Sequence, residues 1–188
     1  IDGFNALLKS RLETAGVPCV PLSADQVWTK IRERAVDRFT RVMRGFLARC
    51  RKQMLSPEDL LASIQRHDAL APAEEKFIRL ACRIYRAYLS RLQEQGEEDF
   101  DGLLARAATC IDAGETSFAS RRTTGDIRLV SWLLVDEFQD FSQLFHRLTE
   151  AMRGANPALN VFCVGDDWQA INGFAGSELR YFNKFGAF

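Results

Sequence analysis

The sequence predicts an α/β chain, with a mostly helical N-terminal half followed by part of a parallel sheet. Three observations carry that prediction. Apolar residues recur at three- and four-residue steps through much of residues 1–96. Two continuous apolar runs, WLLV and VFCV, are strand-length and bracket one amphipathic stretch. The connections on either side of that stretch are short, which makes a βαβ unit whose two strands should be parallel.

Taken in order, FNALLKSRLETAG reads as a helix with Gly16 as its C′ residue, and VPCVPL as a proline-punctuated connection. Ser23 and Gln26 form a capping-box pattern ahead of a long helix. Its apolar stripe is Trp28, Ile31, Ala35, Phe39, Val42 and Phe46. Ser56-Pro57-Glu58-Asp59 opens the next helix with a cap, a first-turn proline and acids at the positive dipole end. Phe77, Leu80, Ile84, Tyr88 and Leu92 mark a helix beginning near Glu74, in which Phe77, Tyr85 and Tyr88 read as core. EEDFDGLLARAATCIDAGE is a short helix stopped by Gly114, and SFASRRTTGD a polar loop, the best candidate for a mobile segment. LVSWLLV reads as a buried strand, residues 141–153 as a helix closed by Gly154 and Pro157, and NVFCVG as a second buried strand.

Composition narrows the class. The 188 residues suffice for one ordinary domain or two small ones, and 47% hydrophobic with 27% charged residues fits a soluble globular chain. No apolar run approaches a membrane span, and the first residues, IDGFNALLKS, carry no signal-peptide pattern. The start lacks Met, which points to an internal piece of a longer protein. Five cysteines with no CxxC pair and only two histidines argue against a disulfide framework and a zinc site, and for a reducing, cytoplasmic setting. Net charge is zero, yet residues 1–92 hold 17 Lys/Arg against 10 Asp/Glu, and the remainder 8 against 15. That asymmetry bears on partners rather than on fold.

The chemistry lies where the strands end. LLVDEFQD and VGDDWQ place carboxylates at the C-terminal ends of both strands, where open parallel sheets bind ligands. Two acidic strand ends suit magnesium, which takes oxygen ligands and bridges to phosphates. In nucleoside triphosphate hydrolysis one strand-end Asp holds the metal and a second group activates water, jobs for which Asp136 and Glu137 have the right types. The plainer alternative makes Asp140, with Gln143, a capping box for the following helix.

These residues resemble a family. LLVDEFQD is similar to motif II of the UvrD/Rep-type superfamily 1 DNA helicases, and VGDDWQAINGFAGSELRYF to motif III, closest to the helicase IV-like branch. EDFDGLL resembles the short motif that precedes motif II. The resemblance covers roughly residues 97–185. It implies a P-loop-NTPase-like sheet that uses ATP and Mg2+. Asp136 would bind the metal, and Glu137 would activate the hydrolytic water. Gln139 and Asp140 would organise the nucleotide site, and Gln169 would contact the γ-phosphate region. Phe174 would stack on a base. Asn172 stands where the family has Tyr and cannot stack; Gly173 and Ala175 replace frequent arginines, and Gly102 stands where the upstream motif has Asp. No Gly-Lys pair occurs, so the chain has no GxxxxGK[ST] loop. By order, residues 1–96 would be the inserted helical subdomain (1B-like) and 97–188 part of the first motor domain (1A-like).

Nine basic residues between Lys30 and Lys52, among them Arg34, Arg38 and Arg41, face only Glu33 and Asp37. Such a stripe either tracks a phosphate backbone or is a solvated helix face with local ion pairs. The resulting expectation is a fragment of a 3′–5′ DNA helicase or translocase of DNA repair, inactive alone. Its partners would be ATP, single-stranded DNA and DNA junctions, with no membrane. The rivals are a helicase–nuclease fusion, and a motor-like module that binds DNA or protein without hydrolysis.

Overall fold

The computed structural model describes residues 10–11, 14–16, 23–67, 71–119, 123–169 and 178–185. The chain forms two compact units, residues 1–42 and 43–188. Helix α1 (Ala24–Lys52) runs through both. Its start is the expected capping box: Ser23 N–H donates to Gln26 Oε1 at 2.9 Å, and Gln26 N–H to Ser23 Oγ at 3.3 Å. Gly16, at the end of the first helical stretch, has φ +74°.

The apolar stripe of α1 is not buried along its length. In the first unit Trp28 is 61% exposed and Ile31 49%, and Val42 also lies at the surface. Burial begins at Met43 and Cys50, in the second unit. There Cys50, Leu60, Cys82 and Tyr85 form a core with Phe46, Leu47 and Ile78 around them. Two helices supply most of this core. Helix α2 (Pro57–Arg66) starts with Ser56 and Asp59 in a reciprocal cap. Helix α3 (Pro72–Gln95) starts two residues before the expected Glu74, because the Glu74 carboxylate reaches back to the Ala71 N–H at 2.9 Å. Phe77 meets Phe46 edge-on at 5.2 Å and Tyr85 is buried, whereas Tyr88 is 37% exposed and reaches a polar partner instead.

Helix α4 (Phe100–Asp112) is capped by Asp99 and followed by Gly114 at φ +91°. The stretch expected to be a polar loop holds two short antiparallel strands, β1 (Ser117–Ala119) and β2 (Thr124–Asp126). Only its Arg121 and Arg122, with Ser120, lie outside the described residues. The pairing is local, Ala119 opposite Thr124, but the polar composition of the stretch does not signal strands. A 3₁₀ turn at Ile127–Leu129 then precedes β3 (Trp132–Val135), so the strand is shorter than LVSWLLV.

Helix α5 (Gln143–Ala155) is capped by Ser142, not by Asp140, and Gly154 lies inside it. Ser142 is fully buried and accepts from Phe145 N–H at 3.4 Å, so the capping-box reading of Asp140 and Gln143 is replaced. Strand β4 (Asn160–Cys163) pairs with β3 in parallel, Trp132 opposite Asn160 and Val135 opposite Cys163. The βαβ unit is therefore as expected, but the strands are covered on one face only. Trp132, Leu134, Phe162 and Val164 are all more than half exposed, whereas Val135 and Cys163 pack on Phe138, Phe141 and Tyr181. The small Ala108 and Ala151 let α4 and α5 pack closely beside Ile111. Asn156 anchors the end of α5, donating to the carbonyls of Ile127 and Val130 at 3.0 and 2.7 Å. Helix α6 (Leu179–Asn183) buries Tyr181 against this cluster.

Candidate nucleotide-hydrolysis site

The parallel register carries two chain segments off the same sheet edge. Pairing continues past the strands, Val164 N–H to Val135 O at 2.8 Å and Phe138 N–H to Val164 O at 2.9 Å. Residues 136–140 and 165–169 are thereby brought together, as the two acidic runs require.

At the end of β3 the Asp136 carboxylate accepts the Glu137 N–H at 2.9 Å. Glu137 then turns the chain at φ +53°, a left-handed conformation that costs a non-glycine residue about 1–2 kcal/mol. The cost is offset locally. Residues Phe138–Asp140 form a 3₁₀ turn closed by Asp140 N–H to Glu137 O at 2.8 Å. Phe138 and Phe141 bury their rings 4.5 Å apart beneath it. The turn leaves Asp136 and Glu137 exposed while Gln139 points inward, only 3% exposed. An open cavity of ≈ 410 Å³ adjoins it, lined by Asp136, Glu137 and Asp140 together with Val135, Phe141 and Phe145.

Gln139 spans the two segments. Its Nε2 donates to the Glu137 carboxylate, and its Oε1 accepts the Asp166 N–H at 2.9 Å. Glycine is required at 165 for this approach. A Cβ there would lie 2.5 Å from Gln139 Oε1, 2.9 Å from Phe138 N and 3.0 Å from Gln139 N, two of them backbone atoms that cannot yield. Asp166 in turn shapes the segment beyond it, accepting Trp168 N–H at 3.0 Å and Gln169 Nε2 at 2.7 Å. Gln169 is exposed beside it, and Trp168 is 91% exposed. Sequence reading missed Gly165 and Asp166 as organisers; the signal was the glycine directly after an apolar strand.

The remaining sequence-predicted residues fall elsewhere. Asn172 and Phe174 lie outside the described residues. Arg34, Arg38 and Arg41 are exposed on the part of α1 within the first unit. Arg51, one of the nine basic residues, is committed to another task. Its guanidinium forks onto the Asp99 carboxylate, with Nε to Oδ2 at 3.0 Å, and Tyr88 OH donates to the same carboxylate at 2.8 Å. Burial raises the Asp99 pKa, but Arg51, the Gly102 N–H and Tyr88 together outweigh it and hold the carboxyl below its ordinary range. Burial and the Asp99 charge push the Tyr88 phenol up to about 12. Gly102 leaves room for this clamp, since a Cβ there would lie 2.7 Å from Arg51 Nη2 and 2.8 Å from Asp99 Oδ1.

Among the described residues no cluster of three or more His, Cys, Asp or Glu side chains forms a protein-only metal cage. Magnesium does not need one, because it keeps several waters and binds through one or two carboxylates plus phosphates. The exposed Asp136 carboxylate at a cavity wall fits that mode. Among the same residues no helix is long and apolar enough to cross a membrane.

The family model described as UvrD/REP helicase N-terminal domain matches residues 8–187. The chain is 34% identical over 125 residues to DNA helicase IV of Escherichia coli, covering 62% of this chain and 16% of that protein. It is 28% identical over 120 residues to the putative ATP-dependent DNA helicase YjcD of Bacillus subtilis, covering 61% and 14%. With the ATP-dependent DNA helicase srs2 of Schizosaccharomyces pombe it shares 27% identity over 113 residues, covering 60% and 12%. The matched stretch is thus a small fraction of each relative's length.

Proposed function

The chain belongs to the UvrD/REP helicase N-terminal domain family, and from that premise we propose that it is part of the motor of an ATP-driven DNA helicase or translocase. The observation that carries the proposal is the convergence of DEFQD and GDDWQ at one edge of a parallel sheet, with Glu137 held in a defined turn. Residues 1–96 are assigned to an inserted helical subdomain and 97–188 to part of the first motor domain. The relatives' names support DNA and ATP as ligands of the whole protein. We assign it single-stranded DNA and junctions as substrates and 3′–5′ movement.

Asp136 would hold Mg2+, which when bound neutralises phosphate charge; Asp140 would support the same corner of the site. Glu137 takes the proton of the attacking water as general base. Its exposed carboxylate, anchored on one side by Gln139, leaves lone pairs to accept that proton. Gln169, tethered to Asp166, reports the state of the γ-phosphate region to the DNA-contacting residues beyond it. Phe174 supplies base stacking, Asn172 contacts DNA without stacking, and Arg34, Arg38 and Arg41 contact phosphates.

The test uses the full-length protein that contains this chain. It should hydrolyse ATP only with magnesium, faster with single-stranded DNA, and unwind a duplex carrying a 3′ tail. DNA binding with no nucleotide turnover under any condition would instead establish the binding-module reading.

A further inference from the structure

We propose that Gln139 is a positioning residue that couples the segment after β4 to the general base, acting through Glu137 rather than on nucleotide. The inference rests on the proposed hydrolytic role of Glu137 and extends it. Gln139 is 3% exposed, so its amide faces protein rather than the cavity that Asp136 and Glu137 line. Its two partners demand opposite chemistry. The Asp166 N–H needs an acceptor and the Glu137 carboxylate needs a donor, so the primary amide's orientation is fixed by the network. Glutamate at 139 could serve only the Asp166 arm, and an apolar side chain neither.

The bridge has little slack. The close approach at Gly165 seats the Gln139 amide against the backbone leaving β4. The next residue, Asp166, also holds Trp168 and Gln169. A displacement of residues 165–169 is therefore passed to the Glu137 carboxylate through one buried amide. Glu137 sits in a left-handed backbone conformation, and its carboxylate is bonded by the same amide, so its side-chain placement depends on this partner.

The full-length protein is assayed with Gln139→Glu, which keeps the Asp166 arm and repels Glu137, and Gln139→Met, which loses both arms without adding charge. Glu137→Gln is the control. Both Gln139 variants should lower DNA-stimulated kcat by about tenfold or more, the scale of losing a supporting partner. KM for ATP and ATP affinity should stay within about twofold, because the buried Gln139 amide does not line the cavity. In Gln139→Met the ratio of DNA-stimulated to DNA-free turnover should also fall towards one. A raised KM with unchanged kcat would make Gln139 a nucleotide ligand and overturn the proposal, as would wild-type kcat and stimulation in Gln139→Met. If Glu137→Gln itself turns over at the wild-type rate, the general-base reading fails first and this inference with it.

Discussion

At the scale of single residues, the site depends on one left-handed acid and one glycine. Glu137 adopts φ +53° because the turn it starts is closed by backbone hydrogen bonds and floored by Phe138 and Phe141. Gly165 is the counterpart on β4. In the isolated chain, Gly165→Ala should cost about 1–3 kcal/mol, since two of the atoms a Cβ would meet are backbone. Gly45→Ala, where nothing lies within 4 Å of the added carbon, should be neutral or stabilising by up to about 1 kcal/mol. Urea melts of both variants check the contrast; equal effects would remove the steric role of Gly165. Phe174→Ala in the full-length protein should weaken single-strand binding by roughly 1–3 kcal/mol while basal ATP hydrolysis persists. Fluorescence titration with an oligonucleotide reads it. The meeting of the two acidic segments at one sheet edge was legible in sequence, because two apolar strands joined by one helix with short connections pair in parallel. The Gln139 bridge was not, because its partner stands 27 positions away and only the strand register brings it near.

Among elements, the helix caps were the most legible and the strand environment the least. Ser23 and Ser56 cap as their spacing predicted, because a capping box is completed within four residues. The β1–β2 hairpin was not, because its residues are polar and its strands only three residues long, and the one-sided burial of β3 and β4 was not, because it depends on what packs against the sheet. The clamp at the start of α4 gives a pH-dependent prediction. Asp99 has its pKa held below the ordinary carboxylate value, so its contribution to stability is full above about pH 4, where the unfolded group titrates. That contribution is lost as pH falls through the lower folded value. Asp99→Asn should therefore destabilise the chain by about 1–3 kcal/mol at neutral pH, from a weakened cap and the loss of the Arg51 ion pair. The gap to wild type should close as denaturation is repeated below about pH 4. A gap independent of pH would mean that the carboxylate charge is not what the clamp uses. For α1, charge reversal of Arg34, Arg38 and Arg41 to Glu should weaken DNA binding and reduce its salt slope. An unchanged slope would leave these residues a solvated face.

For the molecule as a whole, the incomplete covering of the sheet and the missing phosphate loop point the same way. A parallel sheet is ordinarily covered on both faces, yet Trp132, Leu134, Phe162 and Val164 are exposed. No Gly-Lys pair exists to open a phosphate-binding loop. The 188-residue chain on its own should therefore bind ATP weakly at best and not hydrolyse it, because the carboxylates have no held triphosphate to act on. Magnesium-dependent, DNA-stimulated turnover by the isolated chain would contradict this. The central claim, that the strand-end acids perform the hydrolysis, is tested most directly by DNA-stimulated ATP turnover in the full-length protein carrying Glu137→Gln, with ATP binding measured alongside. The amide is isosteric but cannot take the water's proton, so ATP should bind as in wild type while kcat falls by about 10²-fold or more. Turnover near the wild-type rate, with ATP still bound, would contradict the account.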